Sequence, residues 1–132
     1  MAREAAFRPP PARAVWWAVR LLRGSNAADP PDLDIGVERD DQVAVVSVTG
    51  ELDLASVPQL RSCLTDLIGR GEVRLVVDLG GVTFCDSTAL GVFVGAHRRI
   101  TASHGRIEFH QPPPSLRNLL VVSGLDQILT VR

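Results

Sequence analysis

Apolar positions from Gln42 onward run in two different periods. "QVAVVSVTGEL" (Gln42 to Leu52) is apolar almost without a break through Val48, as suits a strand covered on both faces. "DIGVER" before it predicts a shorter strand, and "RDD" (Arg39 to Asp41) predicts the hairpin turn between them. The period then changes. In "SVPQLRSCLTDLIGRG", Val57, Leu60, Leu64, Leu67 and Ile68 recur at helical spacing. Ser56 and Gln59 are placed as a capping box, Pro58 is tolerated in a first turn, and Gly69 or Gly71 ends the helix.

"VRLVVDLGGV" predicts a second buried strand, Val73 to Leu79. Thr88 to Ser103 predicts a helix closed by Gly105, with Leu90, Val94, His97 and Ile100 sharing one face. "RIEFH" (Arg106 to His110) is a further short strand, "PPP" stops it, and Ser115 caps a helix through "LRNLLVVSG" that Gly124 ends. The order is β-β-α-β-α-β-α. Strands alternating with helices imply an α/β domain whose mixed sheet, of about four strands, is covered by helices.

Residues Met1 to Asp32 differ in kind. They carry Arg3, Arg8, Arg13, Arg20 and Arg23 against Glu4, Asp29 and Asp32, with proline clusters in "RPPPAR" and "DPPD". The apolar stretch before Arg20 is too short for a secretory signal and no small-residue cleavage site follows it. Residues 1–32 are therefore expected to form a disordered Arg- and Pro-rich tail, and residues 33–132 the folded domain. The other reading of "ARAVWWAVRLLR" is contact with a membrane surface or a partner.

Composition narrows the function classes. At 132 residues, 45% hydrophobic and 22% charged, the chain has enough apolar material for one modest core. A net charge of -1 argues against a nucleic-acid partner, which calls for a basic surplus. No apolar run approaches the ~20 residues of a membrane span, so no stable membrane insertion is expected. Cys63 and Cys85 form neither a CxxC pair nor metal-ligand spacing; free thiols in a reducing cytoplasm are the expectation, with a disulfide the minor alternative.

In "FCDSTALGVFVG" (Phe84 to Gly95), Asp86, Ser87 and Thr88 interrupt a greasy run. Acids and hydroxyls are favoured at helix N-termini, so capping alone would account for them. Together with "VTGELD" (Val48 to Asp53), "VVDLGGVTFCDSTALGVFVGAHRR" (Val76 to Arg99) and "SGLDQIL" (Ser123 to Leu129), however, the stretch resembles the STAS domain, and within it the bacterial anti-sigma factor antagonists. The resemblance covers roughly residues 34 to 132. Its most specific piece is acid-Ser-Ser/Thr-Gly-Leu after a buried strand, with the downstream "SGL".

The resemblance implies a phosphorylation-switched binding module. Its partner is an anti-sigma factor with serine kinase activity, which the unmodified antagonist sequesters so that a sigma factor is released for transcription. A separate serine phosphatase resets the switch. By position the phosphorylated residue is Ser87, with Thr88 the lesser candidate. Asp53 and Asp86 are implied to shape the kinase and partner site, and Thr88, Ala89, Leu90 and Gly91 to form the exposed first turn of its helix. Two departures stand out: Ala89 replaces the usual glycine, and the family's final helix is expected to be shortened or absent before Arg132. The alternative is a STAS scaffold or transporter-accessory domain without phosphorylation.

Enzymatic readings find less support. Ser87, Asp86 and His97, His104 or His110 are triad ingredients, but there is no GxSxG elbow and Asp86 adjoins the serine. "GRG" and "LGG" match no phosphate loop, and the chain contains no lysine. No catalytic residue, metal cluster or cofactor is expected.

Overall fold

The computed structural model describes residues 33–132; the expectation for residues 1–32 lies outside them. β1 (Leu33–Asp40) and β2 (Val43–Leu52) form an antiparallel hairpin, followed by α1 (Val57–Gly69), β3 (Arg74–Cys85), α2 (Thr88–Ala102), β4 (Arg106–His110), α3 (Pro114–Ser123), a 3-10 turn (Leu125–Gln127) and β5 (Thr130–Val131). The sheet order is β1-β2-β3-β4-β5, and every pairing after the hairpin is parallel. The sheet therefore has five strands where about four were expected; β5 is two residues long and carries no periodicity to read.

Each crossover steps one strand along the sheet in the same direction. Right-handed crossovers of that kind place every helix on one face, and the core shows it. Ala44, Val46 and Val48 of β2 and Leu75, Val77 and Leu79 of β3 pack with Leu60 and Leu64 of α1, Phe93 and Ile100 of α2, and Leu116 and Leu120 of α3. Phe93 stacks on Phe109 of β4 with ring centroids 4.6 Å apart, a separation at which tilted aromatic pairs attract. Val45 and Val76, also buried, alternate onto the opposite face.

Several local details depart from the sequence expectation. The hairpin turn lies at Asp41–Gln42, with Asp41 in the left-handed region (φ 64°). β3 does not end at Leu79. It continues through Gly80 and Gly81 to Cys85, because buried Asp78 accepts the Gly80 N–H at 2.9 Å and Gly81 allows β2 to come close. A Cβ on Gly81 would lie 2.7 Å from Thr49 Oγ1 and 2.9 Å from Val48 O. The β2–β3 register shifts on either side of that contact, the signature of a bulge that re-aims the strand ends beyond it.

The predicted capping box of α1 does not form. Ser56 Oγ turns back to donate to Glu51 O at 2.6 Å, and Gln59 Nε2 donates to Leu33 O at 3.3 Å. α3 begins at Pro114, so Ser115 lies inside its first turn and is not the cap. His104, not Gly105, takes the left-handed conformation after α2 (φ 63°). The buried face of α2 is Ala89, Val92, Phe93, Ala96 and Ile100, turned from the expected Leu90–Val94–His97–Ile100 stripe.

Candidate functional site

The C-terminal ends of β2 and β3 lie side by side, with Glu51 opposite Phe84 and Leu52 opposite Cys85. The loops leaving them therefore emerge together. Asp86 N–H donates to Leu52 O at 3.1 Å, tying the turn before α2 to the turn before α1. The sheet thus brings the two acidic motifs, "GELD" and "DST", to one end of the domain.

Each acid organises its own turn. Asp53 Oδ1 accepts the N–H groups of Ala55 and Ser56, both at 3.0 Å, while Ser56 Oγ accepts the Asp53 N–H at 3.0 Å. Asp86 Oδ1 accepts the Thr88 N–H at 2.9 Å and also the Thr88 hydroxyl. Asp86 thus supplies the side-chain cap of α2. Next in the chain, Ser87 is exposed and makes no side-chain cap hydrogen bond.

The first turn of α2 is only partly exposed. Ser87 and Gly91 face solvent, Thr88 and Leu90 are half-buried, and Leu90 packs against the core. Ala89 is a correction: it is fully buried, 0% exposed, and its methyl belongs to the core. The Ala89 methyl therefore fills interior space, leaving the surface shape to its neighbours. The N–H groups of this turn are also more occupied than a bare helix start implies. Ala89 N–H reaches Asp86 O at 3.3 Å and Leu90 N–H reaches Ser87 O at 3.1 Å. An anion on Ser87 would meet the helix dipole and water more than free amides.

Two exposed apolar side chains at this end escaped the motif reading. Leu54 is 75% and Phe84 50% exposed. A leucine stranded between Asp53 and Ala55, with no helical partner, was the available signal for the first. Phe84, inside a greasy run, gave none.

Residues 35–130 match the family described as "Mlab, STAS domain". The anti-sigma-B factor antagonist of Bacillus subtilis is 30% identical over 100 residues, 76% of this chain and 91% of that protein. The chain belongs to the STAS-domain anti-sigma factor antagonists. Among solved structures, an anti-sigma factor antagonist from Mycobacterium paratuberculosis is 28% identical, with a TM-score of 0.71 over 78% of this chain and 88% of that one. The Bacillus cell fate determinant SpoIIAA in its phosphorylated form is 26% identical, with a TM-score of 0.61 over 75% and 91%.

The remaining chemistry sits elsewhere. The two cysteines are free. Burial, reinforced by the Asp86 carboxylate, pushes the Cys85 thiol up to about 11, and burial with Asp66 raises Cys63. Both are poor nucleophiles. His110 pairs with Glu108 at 2.9 Å on β4, His104 follows α2, and His97 lies ten residues along the helix from Ser87. At about 1.5 Å rise per residue that is roughly 15 Å away. No group of three or more His, Cys, Asp or Glu able to hold a metal occurs among the described residues, and no helix there is long and apolar enough to cross a membrane.

Proposed function

We propose that this domain is an anti-sigma factor antagonist of the cytoplasm, switched by phosphorylation of Ser87. Unmodified, it sequesters an anti-sigma factor that is also a serine kinase, and so releases a sigma factor. Phosphorylated, it lets go until a serine phosphatase restores it. In this reading the domain is a binding module and a kinase substrate, and no step of catalysis is its own.

The observation that carries the reading is the division of labour at the start of α2. Asp86 does the capping, which leaves the Ser87 hydroxyl uncommitted and in water. Thr88, whose hydroxyl is held by Asp86, is the poorer acceptor. A relative 26% identical has been solved in a phosphorylated form, which supports a phosphate being compatible with this fold.

Release is an electrostatic and solvation effect. A phosphate adds about -1.5 to -2 charge, here beside Asp86. A surface fitted to a neutral hydroxyl must then desolvate a concentrated anion. A loss of about 3 kcal/mol corresponds to roughly a hundredfold in affinity. Asp53 and Asp86 serve this site by holding the two turns in place, while Ser87, Thr88, Leu90 and Gly91 offer the contact surface.

Incubation with the cognate kinase and ATP should add one phosphate, detected by mass, and Ser87→Ala should abolish it. No phosphate on the wild type would favour the unphosphorylated scaffold or transporter-accessory role, and phosphate on another residue would move the switch away from Ser87.

A further inference from the structure

We infer that Leu54 and Phe84 are the apolar anchors by which the anti-sigma factor grips the unmodified domain; the inference rests on the reading of Ser87 as its switch. Seven large apolar side chains are exposed among the described residues. Val37, Val73, Val121, Val122 and Ile128 lie on β1, before β3, in the last turn of α3 and before β5. Among them only Leu54, just after β2, and Phe84, one residue before the end of β3, lie at the paired strand ends from which the chain runs into Ser87.

Their exposure is built in. Leu54 sits inside a turn fastened on both sides. Ser56 Oγ donates to Glu51 O at 2.6 Å, Asp53 Oδ1 accepts from Ala55 and Ser56 at 3.0 Å, and Val57 N–H reaches Asp53 O at 2.8 Å. The backbone there has no freedom to tuck the leucine away. Phe84 is held by the β3 ladder opposite Glu51, while its neighbour Cys85 takes the buried face. Apolar groups fixed in place before binding lose little conformational freedom on association.

The position of the two side chains identifies the occupant. A specific interface covers about 800 Å² on each partner. A protein that reaches Ser87 on such a footprint also covers the adjacent strand ends, and with them Leu54 and Phe84. Those two add exposed apolar area to an end of the domain that also carries Asp53 and Asp86. The carboxylates there offer a phosphate no counter-charge, so a partner covering Leu54 and Phe84 must strip water from the anion without compensation. Truncation has its largest effect on well-packed residues near the centre of an interface.

The test uses the full chain and, as probe, each purified anti-sigma factor kinase encoded in the same genome. Leu54→Ser and Phe84→Ser should each weaken binding by about tenfold or more. They should raise the KM for phosphorylation of Ser87 and leave kcat within about twofold. Val122→Ser, equally apolar and exposed but distant in the fold, should behave as wild type. Wild-type Kd and KM in both variants, with Ser87 still phosphorylated, overturns the anchors alone. Unfolding of either variant overturns them too, since the side chain would then be structural. If no kinase binds or modifies the wild type, the switch itself is wrong and the anchors fall with it.

Discussion

Asp86 Oδ1 holds the N–H and the hydroxyl of Thr88, so the acid next to Ser87 caps α2 in its place. Removing that acid should therefore cost stability as well as kinase recognition. Asp86→Ala should destabilise the domain by about 1 kcal/mol, a fall of about 4–8 °C in a domain of this size. Asp86→Asn, which keeps an accepting oxygen, should recover most of it. Thermal unfolding followed by circular dichroism measures both.

Gly81 should tolerate no side chain. A methyl there would lie 2.7 Å from Thr49 Oγ1 and 2.9 Å from Val48 O, and relieving it moves backbone. Gly81→Ala should lower stability by about 1–3 kcal/mol. Because the β2–β3 register above Gly81 sets where Asp53 stands relative to Ser87, phosphorylation by the kinase should slow in the same variant. Denaturant titration and a phosphorylation time course test the two halves separately.

That contact also shows what was hidden in the sequence. The valine run of β2 and the helical period of α1 were legible because burial imposes both patterns. The end of β3 was not, since the apolar run stops at Leu79, and the strand continues because Asp78 holds Gly80 and Gly81 lets Thr49 come close. Around α2 the sequence "ALGVFVGA" is apolar on nearly every side. Its period therefore points to the wrong face, and Ala89, which the resemblance places on the exposed first turn, is 0% exposed. The motif located Ser87, but it could not reveal that Asp86 relieves Ser87 of capping. Phe84 lies inside the motif with nothing to mark it as exposed, and Leu54 is signalled only by its isolation between Asp53 and Ala55; exposure is a property of the fold.

Ala89→Gly, the residue that the resemblance leads one to expect, should make this domain less stable. It removes a buried methyl and adds backbone freedom inside a helix, together about 1–2 kcal/mol. Partner affinity should be unchanged within about twofold, because the methyl faces the core. Calorimetric unfolding and a binding isotherm on the same sample decide it.

Cys85 should resist alkylation in the native state. Burial first, and the Asp86 carboxylate second, push its thiol from 9.0 to about 11, so at pH 8 little thiolate exists to react. Iodoacetamide should label it only after unfolding. The native state keeps this proton to higher pH than the unfolded chain does. The Cys85 contribution to stability is thus full below about pH 9 and lost as pH rises toward 11. Cys85→Ala should flatten that part of the stability–pH curve.

The most direct test compares the purified domain with and without phosphate on Ser87, measuring affinity for its anti-sigma factor by calorimetry and the thermal midpoint alongside. Affinity should fall by about a hundredfold while the midpoint moves by no more than a degree or two, as for other exposed positions. Equal affinity in the two forms, or a phosphorylated domain that has lost its fold, would contradict the account.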